Sequence, residues 1–263
     1  MPFAQSGGLR FWSFASFPEK EVLARVYTRQ GGVSPSPWDS LNLGGSMGDP
    51  RDNLVENRRR IFADSGRRVE SLFDVWQVHG TGVAVAQAPR PAQQEQEKAD
   101  AIVTDVPGVT LMMRFADCVP VLVYDPVRRA VALVHAGWKG TVQKVVSVAL
   151  RAMRASFGSH PEDLLAAIGP SIGPDHYEVG PDVVAQVVEA FGADAAFLLK
   201  ALPNGKALLD LWSANELLLH QAGVKQVEVS GLCTACDTRD WYSHRGEKGK
   251  TGRFAALFAL REP

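Results

Sequence analysis

The sequence predicts an α/β or α+β sandwich in which helices cover one or both outer faces of the sheets. Three observations lead to this prediction: strand-like apolar runs dominate the centre of the chain, amphipathic helix-like runs are interspersed with them, and a tight turn joins two central strands. The chain has 263 residues, 46% of them hydrophobic, so it can bury a substantial core in one large or two small domains.

The predicted strands are apolar runs rich in β-branched and aromatic residues. They cover residues 22–28, 72–78, 108–115, 119–125, 130–136, 225–231 and 253–260. The segment "DPVRR" at 125–129 has the length and composition of a tight turn, so we predict a hairpin formed by 119–125 and 130–136.

The predicted helices carry apolar residues at every third to fourth position, and each ends at a glycine. They cover residues 53–66, 140–158, 181–192 and 213–223. The segment 87–100, rich in Gln, Glu, Ala and Pro, is predicted to be an exposed loop inside a domain, because strand patterns flank it. Since no linker is evident, we expect one domain over 1–263, with a motif-bearing core at about 22–260.

Charge and cysteine content narrow the class of protein. A formal net charge of -1 gives no bulk electrostatic attraction to nucleic acid or to anionic membranes. Three cysteines in a chain of this length do not form a disulfide framework, and the N-terminus has neither a basic start nor an apolar signal core. We therefore expect a cytoplasmic protein with no nucleic-acid or membrane partner; the sequence does not indicate its oligomeric state.

Three side chains at strand ends are candidates for metal binding. His79 precedes a glycine in "QVHG", Cys118 precedes "VP" in "FADCVPV", and His135 closes the strand before "AGWKG". Strand ends beside glycine or proline present side chains to a cleft. Two imidazoles and one thiolate suit Zn²⁺ or copper, and three protein ligands leave a fourth position open for water or substrate.

The residues alone leave other interpretations of this set open. A single cysteine in an apolar strand is often a small buried residue, and a histidine at a strand end is often only hydrogen-bonded structure. Asp117 either orients a ligating histidine through a hydrogen bond, marks a bend in the backbone, or caps a turn.

The motifs around His79, Cys118 and His135 resemble those of a known family. "QVHG", "ADCVPV" and "VHAGWKG" resemble the signature segments of the YfiH or laccase-domain family, also described as multicopper polyphenol oxidase-like proteins. Further matching segments are "RQGGVS" at 29–34, "SLNLG" at 40–44, "GDP..NLVENRRR" at 48–60, "IGPSIGPDHYEVG" at 168–180 and "SHRGEKGKTGR" at 243–253. The resemblance extends from about residue 22 to the end of the chain.

The resemblance implies a fold, a metal site and an activity. The fold is a single-domain layered sandwich with two mixed sheets flanked by helices. His79, Cys118 and His135 are implied as ligands of zinc, with copper possible, and as catalytic residues together with Asp117. The implied activity is phosphorolysis of adenosine, inosine, guanosine and methylthioadenosine, with adenosine deamination as a second activity. Asp175 departs from the pattern, since related sequences often carry cysteine there.

The oxidase name of the family fits the histidine content poorly. A multicopper laccase needs many histidines, commonly in His-x-His pairs, whereas this chain has six and none forms such a pair. Polyphenol oxidation would have to come from copper bound at one small site.

Phosphorolysis requires cationic groups that hold phosphate beneath C1′ of the ribose. The candidates are Arg58 in "ENRRR", Lys139 in "GWKG", and Arg245 or Arg253 in the C-terminal basic segment. Arg58 lies in a helical charge run, which is more typical of a solvated face. Lys139 follows His135 at a predicted helix start, where free N–H groups favour anions.

Two further residues are candidates for binding the nucleoside. Trp138 is a candidate for stacking on the purine, or it packs between strand and helix. Asn42 in "SLNLG" is a candidate for binding ribose hydroxyls, or it stabilises a turn.

Other function classes remain as alternatives. Cys118 with His79 or His135 as base would suit a thiol hydrolase or amidase, and the family has been linked to editing of peptidoglycan precursors.

"HYE" at 176–178 and "CTAC" at 233–236 have the residues of a cytidine-type deaminase, but a leucine replaces the proline of that signature, so we interpret the match as accidental. For Cys233 and Cys236 we favour a strand end followed by a turn over a structural metal or redox pair. A non-enzymatic metal-binding protein is the least supported class.

Overall fold

The computed structural model describes residues 3–45 and 48–262, whose strands form two six-stranded mixed sheets and one small sheet. The first sheet has the order β1 (Phe3–Ser6), β2 (Leu9–Trp12), β3 (Val22–Tyr27), β15 (Phe254–Leu260), β7 (Thr110–Phe115) and β4 (Leu72–Asp74). The second has the order β14 (Gln226–Val229), β10 (Leu165–Ile168), β8 (Val119–Asp125), β9 (Ala130–Ala136), β6 (Ala101–Thr104) and β5 (Val83–Val85). The small sheet contains β11 (Glu178–Val179), β13 (Ala207–Leu209) and β12 (Leu199–Ala201).

Helices cover the outer faces of both large sheets. They are α1 (Arg51–Ser65), α2 (Trp138–Val142), α3 (Val145–Phe157), α4 (Pro181–Phe191), α5 (Ala195–Leu198) and α6 (Leu211–Gln221). Helix α1 packs on the first sheet, and the second sheet packs against α3, α4 and α6. Within residues 3–45 and 48–262, no helix is long and apolar enough to span a membrane.

Alternation along the central strands divides the core into layers. In β15, Phe254 and Phe258 face the second sheet, while Leu257 packs towards α1. In β8, Leu122 packs between the sheets and Val121 packs under the helices. Because successive side chains of a strand point to opposite faces, strands that are buried on both faces are apolar throughout.

The predicted fold class and central hairpin are confirmed. Strands β8 and β9 have the predicted bounds and pair antiparallel from Val119 opposite Ala136 to Asp125 opposite Ala130. The helix predicted at 140–158 is wrong as a single element, since it is broken between α2 and α3 at Lys144, whose φ is 60°. The strand predicted at 72–78 ends at Asp74.

Asp74 anchors the segment predicted to be an exposed loop. Its buried carboxylate accepts hydrogen bonds from Arg90 at 2.7 Å and from Gln96 at 2.6 Å, and it also pairs with Arg114. Burial alone would raise the pKa of Asp74, but the two guanidinium groups outweigh it and hold that pKa below its usual range. The loop at 87–100 is therefore exposed along much of its length and fixed at particular side chains.

We expect Asp74→Asn to lower the free energy of unfolding by about 3–5 kcal/mol at pH 7, because two partly buried arginines lose their counter-charge. The pKa of Asp74 is depressed in the folded state, so its contribution is fully present above about pH 4 and is lost as the pH falls through the folded value. Urea unfolding at pH 7 and pH 3 measures both effects. Asp105→Asn, at an exposed position, is the control. If Asp74→Asn lowered the free energy of unfolding equally at both pH values, the stabilising role of the Asp74 charge would be contradicted.

Candidate metal centre

The β8–β9 hairpin brings two of the predicted ligands together. His135 lies opposite Pro120 near the end of β9, and Cys118 immediately precedes β8. One further step of the same register places Cys118 opposite Gly137, which starts the turn into α2. The thiol and the imidazole are therefore neighbours because of strand pairing.

His79 reaches the same place through a strained turn held by Asp100. The φ of His79 is 59°, in the left-handed region that non-glycine residues rarely occupy. The carboxylate of Asp100 accepts the backbone N–H groups of Val78, His79 and Gly80 at 3.1, 3.0 and 2.7 Å. It also contacts Nδ1 of His135 at 2.8 Å, so one fully buried carboxylate positions both histidines.

The three side chains form a compact cluster that opens to solvent on one side. One ligand atom each from His79, Cys118 and His135 lies within 4.8 Å of the others, and the two imidazole rings are 4.9 Å apart at 74°. His135 is 4% exposed, Cys118 is half-buried and His79 is exposed. A small ligand can therefore approach the cluster from the side of His79.

The electrostatics of the cluster favour a thiolate. Burial alone would raise the pKa of Cys118, but His135 and His79 outweigh it and lower that pKa to about 6. Burial alone would lower the pKa of His135, but Cys118 and Asp100 raise it to about 9. In the metal-free protein this corresponds to a thiolate beside an imidazolium.

The cluster fits a small thiophilic metal ion. The hydrogen bond from Nδ1 of His135 to Asp100 leaves Nε2 as its metal-binding atom, and a carboxylate–histidine pair of this kind is typical of zinc sites. The donor set of two imidazoles and one thiolate suits zinc or copper. The open fourth position is typical of a catalytic site.

Asp117 connects three loops around Cys118. Its φ is 82°, so the backbone bends there, and its carboxylate accepts hydrogen bonds from the Thr234 hydroxyl at 2.7 Å and the Arg245 N–H at 2.6 Å. Its carbonyl oxygen accepts the N–H of Ile172 at 2.9 Å. The sequence was compatible with a hydrogen bond from a ligating histidine to Asp117. In the structure, His135 makes that hydrogen bond with Asp100 instead.

Two predicted substrate-binding residues lie at the edge of this region. The Arg253 guanidinium is half-buried, and this burial lowers its pKa. The nearby charges of Cys118 and Asp117 act in the opposite direction but do not outweigh the effect of burial. Asn42 is fully buried; its Oδ1 accepts the N–H groups of Gly44 and Arg253, and its Nδ2 donates to Asp49. The side chain of Asn42 thus shapes the backbone that carries Arg253.

Trp138 and Lys139 follow the cluster on α2. Trp138 is partly buried against the core beneath the helices, and Nζ of the exposed Lys139 lies 5.6 Å from the centre of the Trp138 ring. Helix α2 has only five residues, so its N-terminus has little dipole to offer an anion.

Arg58 belongs to a different charged group. It lies on α1, where burial lowers its pKa and where Arg114, Asp74 and Arg90 set its charge environment. Arg58 is half-buried and so does not lie on a solvated face, whereas its neighbour Arg59 is exposed and pairs with Glu56. Its side chain lies near the charges of the Asp74 network without a hydrogen bond to that network.

Comparisons with known proteins identify the family of the chain. The sequence pattern of the family described as "Multi-copper polyphenol oxidoreductase laccase" matches residues 23–261. The chain belongs to this laccase family. The resemblance that the motifs predicted is therefore confirmed.

Relatives of this laccase-family chain carry another activity in their names. A Deinococcus radiodurans protein named purine nucleoside phosphorylase is 41% identical over 243 residues, covering 92% of this chain and 91% of its own. The Bacillus subtilis purine nucleoside phosphorylase YlmD is 36% identical over 259 residues, covering 95% and 93%. The crystal structure of YlmD from Geobacillus stearothermophilus superposes with a TM-score of 0.92 at 32% identity and covers 99% of each chain.

Sequence reasoning missed two residues of this laccase-family site. Asp100 stands at the end of the polar segment 87–100, and only its position directly before a short apolar strand could have indicated burial. Tyr177 is half-buried, and burial raises its pKa, helped by the nearby charge of Cys118. The guanidinium of Arg245 lies over the Tyr177 ring at 5.1 Å, and the backbone N–H of Arg245 donates to Asp117, the neighbour of Cys118.

Gly137 should be essential to the shape of the cluster. A Cβ atom at this position would lie 2.9 Å from Sγ of Cys118 and 3.0 Å from Cδ2 of His79. We expect Gly137→Ala to lower the zinc affinity of the cluster by at least about 10-fold, because both ligands must move. Competition with a zinc chelator measures this affinity. Gly108→Ala, where a Cβ meets nothing within 4 Å, is the control, and equal affinities in the two variants would contradict the assignment.

Proposed function

We propose that this protein is a metal-dependent purine nucleoside phosphorylase that acts at His79, Cys118 and His135. The observation that carries the proposal is the open His–Cys–His cluster in a chain whose relatives are named purine nucleoside phosphorylases. The proposed substrates are adenosine, inosine, guanosine and methylthioadenosine, together with phosphate. Zinc is the proposed metal, with copper as a second possibility.

In phosphorolysis a phosphate oxygen forms a bond to C1′ of the ribose while the bond from C1′ to the purine nitrogen breaks. The purine leaves after gaining a proton, and the sugar passes through an oxocarbenium-like state. A bound zinc ion would supply Lewis acidity at the cluster. The chain's own residues must bind phosphate, orient the nucleoside and exclude water.

Arg253 is the best supported phosphate ligand among the predicted cations. Its Nη1 donates to the carbonyl oxygens of Thr251 at 3.4 Å and Gly252 at 2.7 Å, which leaves Nε and Nη2 to bind an anion. Its charge lies close to Cys118, and its partial burial strengthens any contact with phosphate. Lys139 is more exposed and would act as a weaker, screened contact.

Asp117 and Asp100 are proposed to act by positioning other groups. Asp117 holds the loops of Thr234 and Arg245 around Cys118, and Asp100 fixes the two histidines. Trp138 is proposed as one wall of the purine pocket. Arg58 and Asn42 support the surrounding backbone and charge network, so we expect them to influence substrate binding indirectly.

Adenosine deamination is proposed as a second activity at the same cluster. In that reaction water adds at C6 of the purine and ammonia leaves, so inosine is the product. Chromatography distinguishes the two reactions, because deamination of adenosine yields inosine and phosphorolysis of adenosine releases adenine.

One observation favours a second candidate function, a thiol amidase with Cys118 as nucleophile. The lowered pKa of Cys118, the raised pKa of His135 and the carboxylate of Asp100 together resemble the nucleophile, base and orienting group of such an enzyme. The two functions require different states of the Cys118 thiol. A phosphorylase of the proposed kind needs it bound to the metal, whereas an amidase needs it free to attack a substrate.

Chelation followed by reconstitution tests the proposed function. We expect removal of the metal to abolish purine release from inosine and addition of zinc to restore it. In the metal-free protein Cys118 should become reactive towards iodoacetamide. Purine release that persists after chelation and is blocked by iodoacetamide would overturn the metal-dependent proposal and favour the thiol enzyme.

A further inference from the structure

A second group of metal-ligand side chains lies outside the cluster described above. His176, Cys233 and Cys236 each offer one ligand atom, and these atoms all lie within 4.8 Å of one another. Sγ of Cys236 is 3.5 Å from Nδ1 of His176, and Sγ of Cys233 is 3.7 Å from the same nitrogen. The sequence favoured a plain turn for the two cysteines, but the fold brings them into contact with His176, which lies 57 residues before Cys233 and 60 before Cys236.

These distances are those of a tetrahedral zinc site. Zinc binds thiolate sulfur at about 2.3 Å and imidazole nitrogen at about 2.0–2.1 Å, so two such ligands at the tetrahedral angle lie about 3.6 Å apart. The two sulfur–nitrogen separations, 3.5 and 3.7 Å, bracket this value. Both cysteine sulfurs therefore lie at the distance from the imidazole nitrogen that binding to one zinc ion requires.

The backbone around the cluster is already organised. Ser171 and Cys233 form an isolated parallel β-bridge, and the N–H of Gly173 donates to Sγ of Cys233 at 3.2 Å. A Cβ atom at Gly173 would lie 3.0 Å from the Cβ of Cys233, so this position needs the close approach that glycine permits. The hydrogen bond from Gly173 therefore fixes the position of Sγ of Cys233.

We propose that His176, Cys233 and Cys236 bind a second zinc ion, which fastens together the loops that carry them. Each thiol releases its proton to solvent as its Zn–S bond forms, and no redox change is involved. His176 and Cys236 are exposed, so water completes the coordination. The second site is independent of the proposed function, because its occupancy does not require that the first cluster be catalytic.

The position of the second site suggests what the ion stabilises. His176 is followed by Tyr177, which lies close to Cys118, and Cys233 is followed by Thr234, which donates to Asp117. Fixing the two loops therefore fixes two walls of the first cluster.

The fourth position of the second site is open, as it is in the first cluster, so the state of the neighbouring glutamate decides between a catalytic and a structural role. The carboxylate of Glu178, the third residue of "HYE", is paired with Lys206 at 2.8 Å. A cytidine-type deaminase uses the glutamate of its signature as a free general acid and base. The second ion is therefore assigned to holding the loops in place.

Metal analysis of purified variants tests the second site. After zinc loading and removal of free metal, we expect two zinc ions per wild-type chain, one in Cys236→Ser or His176→Ala, and one in Cys118→Ser. His160→Ala, a change of an exposed histidine outside both clusters, is the matched control and should retain two. Loss of His176 should weaken binding at the second site by at least about 100-fold.

Cobalt substitution and thermal unfolding distinguish a built site from surface binding. In Cys118→Ser, the remaining Co²⁺ should show the sulfur-to-metal absorption of two thiolates, and the band should be absent after Cys236→Ser is added. Zinc at 100-fold above its Kd should raise the Tm of Cys118→Ser by about 5 °C or more. A Cys236→Ser protein that keeps as much zinc as the wild type would overturn the proposal, as would a Cys233–Cys236 disulfide in freshly isolated protein or cobalt without a two-thiolate band.

Discussion

Replacing Cys118 with serine will lower phosphate-dependent purine release by at least about 100-fold, and His79→Ala will do the same, because each change removes a direct ligand of the proposed metal. Both variants should also lose one zinc ion per chain. Initial rates with inosine and phosphate, measured beside metal content, test both statements. The control is His160→Ala, which also removes an exposed imidazole but lies outside both clusters.

These variants separate the two candidate functions of the site. His79 is exposed and Cys118 lies at a strand end, so neither change should unfold the chain. Circular dichroism and the Tm check that expectation. A Cys118→Ser protein that keeps its zinc and still releases purine would contradict the ligand assignment, whereas His79→Ala that loses zinc but retains amidase activity would favour the thiol enzyme.

Asp100→Asn should weaken zinc binding at the first cluster by about 10–100-fold. The buried carboxylate accepts three backbone N–H groups and the Nδ1–H of His135, and the neutral amide cannot satisfy all four donors. We also expect the free energy of unfolding to fall by about 1–3 kcal/mol, since a buried donor is left without a partner. Chelator competition and urea unfolding measure the two effects.

A pH profile distinguishes positioning from a purely structural role of Asp100. Asp100 helps to raise the pKa of His135, and His135 in turn lowers the pKa of Cys118. In the metal-free Asp100→Asn protein, the pH at which Cys118 is half-alkylated by iodoacetamide should therefore move upwards. Asp105→Asn is the control, because that residue is exposed. An unchanged alkylation profile would contradict the positioning role.

The sequence predicts the central architecture well because its signals there are local. Strands β8 and β9 are continuous apolar runs separated by a short polar turn, and strands buried on both faces have that pattern. The same hairpin places Cys118 beside His135, so part of the site follows from local pairing. Short strands such as β5 and β6, with three and four residues, carry too little periodicity to be recognised.

The sequence does not predict contacts between segments that are distant along the chain. Asp100 ends a polar segment that resembles other exposed loops, and its burial results from pairing between β5, β6 and β9. The contact of His176 with Cys233 depends on how two loops pack beside the second sheet. Lys144 carries no turn signal, although it divides the predicted helix.

The most direct test of phosphorolysis is the product balance of the zinc-loaded protein with inosine, measured with and without phosphate. We expect hypoxanthine and ribose 1-phosphate in a 1:1 ratio when phosphate is present, and no appreciable hypoxanthine when it is absent. Hypoxanthine release that does not depend on phosphate, or no release by the zinc-loaded protein, would contradict the proposal that the His79–Cys118–His135 cluster carries out purine nucleoside phosphorolysis.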